Sequence, residues 1–234
     1  MVSSGMKRLP ERILCLVTDR RLAGGDDALA GAVAASVAAG VNMVQVREKD
    51  LPTHELAALA VRLRGVTQGK ALLTVNGDLR AATEAGADGV QLSEDAAPVA
   101  EARRTLGRGR IIGRSVHSLT GAVEAEQDGA DFLVLGTVFP SASHPGGPTG
   151  GVRLVREVTQ AVGIPVIGIG GITEATAGRV IEAGAAGVAV ISAILGAAEP
   201  GVAAARLAEA IGLERVAAPT RSDGEAGSGS GSRK

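Results

Sequence analysis

In the stretch Val166-Ile167-Gly168-Ile169-Gly170-Gly171, an apolar run ends in two glycines, and a second run ends in a serine: Gly187-Val188-Ala189-Val190-Ile191-Ser192. Continuous apolar runs of this length are typical of parallel strands that are buried on both faces. Both runs end in residues small enough to let backbone N–H groups approach an anion, and a helical segment follows each of them. If they are the last two strands of a (β/α)8 barrel, their tips form a phosphate site. The sequence therefore predicts a small phosphorylated ligand.

A glycine-containing phrase recurs along the chain and indicates a repeated helix-then-strand unit. It occurs at 39–41, 85–90, 128–133 and 183–188. The glycine separates an Ala/Glu-rich amphipathic segment from an apolar run, as happens where a helix ends and a strand begins. Strands are predicted near 12–18, 42–48, 71–76, 89–93, 110–116, 132–138, 165–170 and 187–192, and helices over segments such as 55–66, 122–127 and 175–182. Eight similar units favour an α/β fold with a closed (β/α)8 TIM barrel, and an open doubly wound sheet is the alternative.

Length and composition predict one domain and exclude several classes of partner. We expect an N-terminal extension over 1–11, the barrel over 12–216, and a disordered Gly/Ser-rich tail over 217–234. Lys plus Arg (24) balances Asp plus Glu (25), and there is no Trp or Tyr, so we expect no nucleic-acid partner. The uncharged stretch 28–46 is mostly Ala, Gly and Ser and is divided by Gly40, so we expect no membrane segment. The single cysteine, Cys15, fits a buried position and a cytoplasmic location. Small barrels often pair, so a homodimer is one option.

The candidate catalytic and binding residues are found by reading the strand tips, where barrel enzymes carry their chemistry. Strand two ends with Gln45, Arg47 and Lys49 on one face, which suits a carboxylate or a phosphate, although a solvated charge run would look the same. Strand three ends at Asn76. Strand five ends with Ser115 and then His117, whose side chain can transfer protons near neutral pH or serve a structural role.

The remaining candidates lie in the second half of the chain. Backbone and small side chains at Gly170, Gly171, Ile191 and Ser192 are predicted to hold the phosphate. The segment 141–151 is dense in Gly, Pro and Ser, and it reads equally as a lid or as a plain surface loop. Ser143 in this segment is included among the predicted ligand-binding residues. No residue is predicted to be a metal ligand.

Several of these motifs together resemble the thiamin-phosphate synthase and thiazole tautomerase (TenI) superfamily over roughly residues 12–212. The similar segments are 44–50, 86–90, 112–118, 136–140, 169–172 and 190–194. The resemblance implies a barrel that binds a small phosphorylated thiazole. It does not by itself choose between the two branches of the superfamily.

The branch is predicted from two acidic positions. The synthase branch has a Mg²⁺-binding Asp at each of the positions held here by Gly77 and Ala96, while Asp78 and Asp95 lie one residue away. Mg²⁺ typically needs one or two carboxylates besides substrate phosphates, and a one-residue offset on a regular strand turns a side chain to the other face. Near a loop the backbone could compensate, which keeps the synthase open.

The tautomerase branch resembles this chain at Asn76-Gly77, at Val90-Gln91-Leu92 and over 112–119. In that branch the strand-five histidine, here His117, is the implied proton-transfer residue, and no metal is required. Gln45, Lys49 and Phe139-Pro140 look more like the synthase. We therefore predict a thiazole tautomerase, an isomerase that aromatises a thiazole carboxylate phosphate without a cofactor. One alternative is a Mg²⁺-dependent thiamin-phosphate synthase, a transferase that joins hydroxymethylpyrimidine pyrophosphate to thiazole phosphate. Another is a non-catalytic protein that binds thiazole phosphate and regulates thiamin metabolism.

Overall fold

The computed structural model describes residues 8–141 and 147–213, which form a closed barrel of eight parallel strands. The strands are β1 (Ile13–Val17), β2 (Met43–Val46), β3 (Leu72–Asn76), β4 (Gly89–Leu92), β5 (Ile111–Val116), β6 (Phe132–Leu135), β7 (Val166–Ile169) and β8 (Gly187–Val190). Each strand pairs with its neighbours in the sequence, and β8 pairs with β1 in the register Ile13↔Gly187 to Leu16↔Val190. The predicted TIM barrel is confirmed, and the β1–β8 ladder rules out the open sheet.

Helices cover the outside of the barrel and connect successive strands. They are α1 (Arg20–Ala23), α2 (Asp26–Ala38), α3 (Thr53–Thr67), α4 (Leu79–Glu84), α5 (Val99–Leu106), α6 (Leu119–Gln127), α7 (Gly151–Ala161), α8 (Glu174–Glu182), α9 (Ser192–Leu195) and α10 (Pro200–Ala210). Polar side chains cap several of them: Asp78 accepts a hydrogen bond from the Ala81 N–H, and Ser118 accepts one from the Gly121 N–H. Within the described residues, no helix combines the length and the apolar composition needed to cross a membrane.

The core has two layers because the strands are buried on both faces. Side chains such as Leu14, Leu16 and Val44 pack between the sheet and the helices. The alternate set fills the barrel interior and includes Ile13, Cys15, Met43, Ile111, Phe132 and Ile167. Burial raises the pKa of the Cys15 thiol to about 12, which fits its predicted role as a small buried side chain.

The strand ends differ from the predicted ones in ways that matter for the site. β2 ends at Val46, so Arg47 and Lys49 lie in the following loop rather than on the strand. β6 ends at Leu135, three residues before the predicted end at 138. β8 ends at Val190, and Ser192 is the first residue of α9 rather than the end of a strand.

Some predictions fall on residues that the structure does not describe. Residues 142–146 of the lid predicted over 141–151, which include Ser143, and the tail 217–234 lie outside the described residues, as do residues 1–7. The boundaries of the extension and of the tail therefore stay predictions.

Candidate functional site

A cavity of about 540 Å³ opens at the carboxyl ends of the strands, and it is lined by every predicted site residue that the structure describes. These residues are Gln45, Arg47, Lys49, Asn76, Ser115, His117, Gly170, Gly171, Ile191 and Ser192. Ser143 is the remaining predicted site residue and lies outside the described range. Reading the strand tips therefore locates the cavity.

The floor of the cavity is polar on one side and apolar on the other. Gln45, Asn76 and Ser115, from β2, β3 and β5, form the polar side, and the Gln45 Nε2 donates to the Asn76 Oδ1 at 3.1 Å. The apolar side is formed by Val17, Val134, Ile169 and Ala189. Because β2 to β5 are consecutive in the barrel, the polar groups face the same part of a bound molecule.

A buried hydrogen-bond network holds the segment that follows β2. The Thr18 hydroxyl donates to Glu48 Oε1 at 2.7 Å and accepts from the Arg47 N–H at 2.9 Å. The Arg20 N–H also donates to the Glu48 carboxylate, at 3.1 and 3.2 Å to its two oxygens. Burial nevertheless raises the pKa of Glu48, because the desolvation of its carboxylate outweighs these hydrogen bonds.

This network places two cations on the cavity. The side chains of Arg47 and Lys49 line it, and neither forms an ion pair with any described residue. Cationic side chains that have no internal partner are available to an anionic ligand. The β2 tip is therefore a candidate anion-binding region.

A second candidate anion-binding region lies at the tips of β7 and β8. Gly170 and Gly171 have φ values of 101° and 61°, and a Cβ on Gly171 would lie 2.3 Å from the Pro140 carbonyl oxygen. Only glycine lets the backbone pass this close to the segment that follows β6. Ser192 begins α9, and the first N–H groups of a helix have no intrahelical acceptor. Backbone donors and a hydroxyl therefore meet here, as predicted for a phosphate.

His117 is paired with a carboxylate at the rim. Its Nδ1 lies 2.7 Å from Glu94 Oε2, and both residues line the cavity and are largely exposed. Because Glu94 occupies Nδ1, the other ring nitrogen, Nε2, is the one that a ligand could contact.

The loop that carries Glu94 is fastened to β5 by one arginine. The Arg114 guanidinium donates to the carbonyl oxygens of Ala97 at 2.9 Å, Glu94 at 2.7 Å and Ala96 at 3.1 Å. Asp95 in the same loop lines the cavity, and its carboxylate forms no hydrogen bond or ion pair with any described residue. Asp78, by contrast, is used as the cap of α4 and does not line the cavity.

Gln91, Glu94 and Asp95 are candidate site residues that the sequence did not assign to the site, although Asp95 stands out as the aspartate next to the expected metal-binding position. Gln91 donates from Nε2 to the Ser115 Oγ at 3.0 Å and is 1% exposed. In the sequence Gln91 stands within the family-like motif Val90-Gln91-Leu92, which gives no sign of its contact with Ser115. Glu94 could be recognised only as a polar residue of a turn after β4, which is also what an ordinary loop contains.

Comparisons with known proteins agree over the barrel. A family model described as "Thiamine monophosphate synthase" matches residues 14–194. A putative thiamine-phosphate synthase from Geobacter sulfurreducens is 46% identical over 189 residues, which cover 80% of this chain and 88% of the relative. Thiamine-phosphate synthase from Roseiflexus castenholzii is 40% identical over 199 residues, which cover 84% and 87%. The structure of thiamine phosphate pyrophosphorylase from Pyrococcus furiosus superimposes with a TM-score of 0.78 at 35% identity, over 86% of this chain and 96% of that one.

These findings correct the predicted activity. The prediction of a thiazole tautomerase is wrong, because relatives at this level of identity are named as thiamine-phosphate synthases. The physical reason for the error is the loop after β4. The argument that a one-residue offset turns a side chain to the other face holds only on a strand, and β4 ends at Leu92. Asp95 therefore lines the cavity, although the metal-binding aspartate of the synthase branch aligns with its neighbour Ala96.

The cavity, its two anion-binding regions and the relatives agree on one family. The resemblance seen in the sequence motifs is confirmed by a family model that spans the whole barrel from β1 to the start of α9. The relatives are named as enzymes, which favours catalysis over a purely regulatory role. The chain belongs to the thiamine-phosphate synthase and TenI superfamily of enzymes.

Proposed function

We propose that the protein is a thiamine-phosphate synthase that couples hydroxymethylpyrimidine diphosphate to thiazole phosphate and releases diphosphate. The observation that supports this most directly is the presence of two separate anion-binding regions in one cavity. Arg47 and Lys49 form the first, and the Gly170, Gly171 and Ser192 tips form the second. Two phosphorylated substrates need two such regions, and the cavity offers both.

The reaction exchanges one bond for another at the methylene carbon of the pyrimidine. The carbon–oxygen bond to diphosphate breaks and its electron pair leaves with the diphosphate. The lone pair of the thiazole nitrogen forms the new carbon–nitrogen bond, and the product thiazole ring carries the positive charge. No proton is transferred in this exchange, so the predicted proton-transfer role of His117 has no step in it.

The residues of the chain contribute binding, orientation and electrostatics. Arg47 and Lys49 stabilise the negative charge that grows on the departing diphosphate. The β7 and β8 tips hold the phosphate of the thiazole, so the ring nitrogen is brought towards the reacting carbon. Gln45, Asn76 and Ser115 orient a ring through hydrogen bonds. The apolar side of the floor keeps water away from this carbon, because water attacking there would hydrolyse the pyrimidine diphosphate.

The synthase branch implies Mg²⁺, and the carboxylates of the cavity fit it. No described group of three or more His, Cys, Asp or Glu residues could hold a metal by itself. Mg²⁺ bound with a phosphorylated substrate usually needs only one or two carboxylates, because phosphate oxygens and water supply the rest. Asp95 meets this requirement, since it lines the cavity and its carboxylate has no partner among the described residues. When bound, Mg²⁺ would neutralise charge on the diphosphate.

Incubating the purified protein with both substrates and Mg²⁺ tests the proposal. We expect thiamine phosphate and diphosphate in equal amounts, and neither when one substrate is omitted. Arg47→Met should lower kcat/KM by roughly 10²-fold, the usual effect of removing one group that stabilises developing charge. Arg104→Met, an exposed arginine on α5, is the matched control and should act like the wild type. Folded protein that forms no thiamine phosphate under these conditions would overturn the proposal.

A further inference from the structure

We propose that Gln91 is a positioning residue that holds the Ser115 hydroxyl as a hydrogen-bond donor towards the substrate. The identity of that substrate rests on the proposed synthase function. The assignment of Ser115 as a donor rests only on the geometry of the barrel interior. The ligand group that faces Ser115 is then a hydrogen-bond acceptor, either a ring nitrogen of the pyrimidine or an oxygen of the diphosphate.

The first step is the placement of the Gln91 side chain. Gln91 pairs with Gly113 in the register between β4 and β5, and it is 1% exposed. A Cβ on Gly113 would lie 2.1 Å from the Gln91 Oε1 and 2.3 Å from the Phe132 ring. The amide can lie across β5 and reach Ser115 only because residue 113 has no side chain.

The second step is the orientation of the amide. The Gln91 Nε2 is 3.0 Å from the Ser115 Oγ and 3.5 Å from the Leu92 carbonyl oxygen. A carbonyl can only accept, so the group beside Leu92 must be the amide nitrogen and not the amide oxygen. Turning the amide over would bring two acceptor oxygens together, and this fixes the nitrogen on the side of Ser115.

The third step is the fate of the Ser115 proton. A hydroxyl that accepts one hydrogen bond still has its O–H to donate. Ser115 is half-buried and lines the cavity, and its hydroxyl has no recorded acceptor among the described residues. Its O–H therefore points to the cavity, where it is free to donate to water or to a bound ligand that displaces the water.

The unpartnered amide oxygen of Gln91 agrees with this assignment. Among the described buried side chains, the Gln91 Oε1 is one of the few polar atoms that lack a hydrogen bond. Leaving a buried acceptor unpaired costs stability. The hydrogen bond to Ser115 is thus the one good side-chain contact that the Gln91 amide makes among the described residues.

Substitution of glutamate for Gln91 reverses the polarity without changing the shape. The carboxylate can only accept, so Ser115 would donate to residue 91 and would present only an acceptor to the ligand. We expect Gln91→Glu to weaken the binding of an acceptor ligand by about tenfold, the effect of losing one such hydrogen bond. Gln91→Met, which removes the donor without adding charge, should weaken binding by roughly threefold. Gln68→Glu, at an exposed residue after α3 at the opposite end of the barrel, adds the same charge and should bind like the wild type.

Two probes distinguish the two sources of the acceptor. Calorimetric binding is measured with inorganic diphosphate and, separately, with hydroxymethylpyrimidine, which carries the ring without phosphate. Because the charge of Gln91→Glu repels diphosphate directly, the neutral Gln91→Met variant makes this distinction. It weakens only hydroxymethylpyrimidine if the acceptor is a ring nitrogen, and only diphosphate if it is a phosphate oxygen. Ser115→Ala should weaken the same probe, and Gln91→Met should add nothing further in the Ser115→Ala protein, because the two residues act through one hydroxyl.

The pH dependence of Gln91→Glu separates positioning from damage to the fold. As the pH falls and the new carboxyl takes up a proton, it can donate to Ser115 again, so binding relative to the wild type should recover. Ionisable groups on the rim, namely Lys49, Glu94, Asp95 and His117, are present in both proteins and cancel in this ratio. Free energies of unfolding measured at each pH report any general loss of stability.

The outcomes that overturn the proposal are specific to it. Binding of both probes by Gln91→Glu at wild-type strength would do so, as would losses that multiply in the double variant. If Gln91→Glu does not fold, Gln91→Met in the wild-type and Ser115→Ala backgrounds gives the same comparison. Failure of the wild type to form thiamine phosphate would contradict the proposed function only, because the binding measurements involve no turnover.

Discussion

Replacing Gly171 by alanine tests whether the wall of the phosphate region is made of backbone in close contact. Gly171 has a φ of 61°, in the left-handed region, and a Cβ there would lie 2.3 Å from the Pro140 carbonyl oxygen and 2.7 Å from that of Phe139. These oxygens cannot retreat easily, because the Val138 N–H donates to Ile169 and the Phe139 N–H to Gly170. The segment after β6 is thus fastened to the end of β7.

The size of the effect follows from two separate costs. An alanine in the left-handed region costs about 1–2 kcal/mol. Forcing an extra carbon into a filled space costs about 1–3 kcal/mol more, through shifts of the surrounding backbone. We therefore expect Gly171→Ala to lower the free energy of unfolding by about 2–5 kcal/mol. Gly86→Ala is the matched control, because Gly86 has a φ of 59° and nothing lies within 4 Å of its added Cβ.

Urea unfolding and calorimetric binding of thiazole phosphate measure the two consequences. The control should lose only about 1–2 kcal/mol and should bind as the wild type does. Gly171→Ala should lose more stability and should bind at least tenfold more weakly, a loss of about 1.4 kcal/mol, because the backbone donors move. Equal losses of stability in the two variants, with unchanged binding in both, would refute the close contact and the phosphate site built on it.

Three further predictions concern single side chains. Asp95→Asn should raise the Mg²⁺ concentration for half-maximal thiamine phosphate formation at least about tenfold, while Asp78→Asn, which keeps the cap of α4, should leave it unchanged. Burial raises the pKa of Glu48, so the folded protein binds this proton at a higher pH than the unfolded chain does, and the stability that Glu48 contributes declines as the pH rises through that range. The free energy of unfolding of the wild type relative to Glu48→Gln should therefore fall as the pH rises from acid to neutral. A constant difference would contradict the burial effect. Burial raises the pKa of Cys15 to about 12, so a thiol reagent at pH 8 should label the protein only after unfolding, and rapid labelling of the native protein would show that β1 is accessible.

The barrel could be predicted because its strongest signals are local. Each strand is a short apolar run, a recurring glycine phrase introduces four of them, and these signals do not depend on distant partners. The ends of the strands could not be read so well, because a strand buried on both faces shows no alternation that stops at its last residue. At the end of β2 the backbone is held by a residue that follows β1: the Thr18 hydroxyl accepts from the Arg47 N–H. A contact between residues so far apart in the chain has no signature in either segment.

The site could be predicted where a rule of the fold applies and not where a pair of distant residues decides. Gln45, Asn76 and Ser115 were found because they stand near the ends of strands. Gln91 was not found, because its role depends on Gly113 and on Ser115, and these are brought together by the register between β4 and β5. Without knowledge of these contacts, a single polar residue in an apolar run does not indicate a functional role.

The choice between the branches of the family failed for a related reason, and it shows what controls the acidic side of the site. Counting along the motif compares Ala96 with an aspartate and finds the carboxylate missing. The position of a carboxylate in a loop depends on how the loop is held, and here Arg114 binds three carbonyl oxygens between Glu94 and Ala97. With the backbone fastened in this way, Asp95 lines the cavity in place of its neighbour. Because Arg114 comes from β5 and the loop follows β4, the position of the Asp95 carboxylate is determined by a contact between β5 and this loop rather than by the order of residues in one motif.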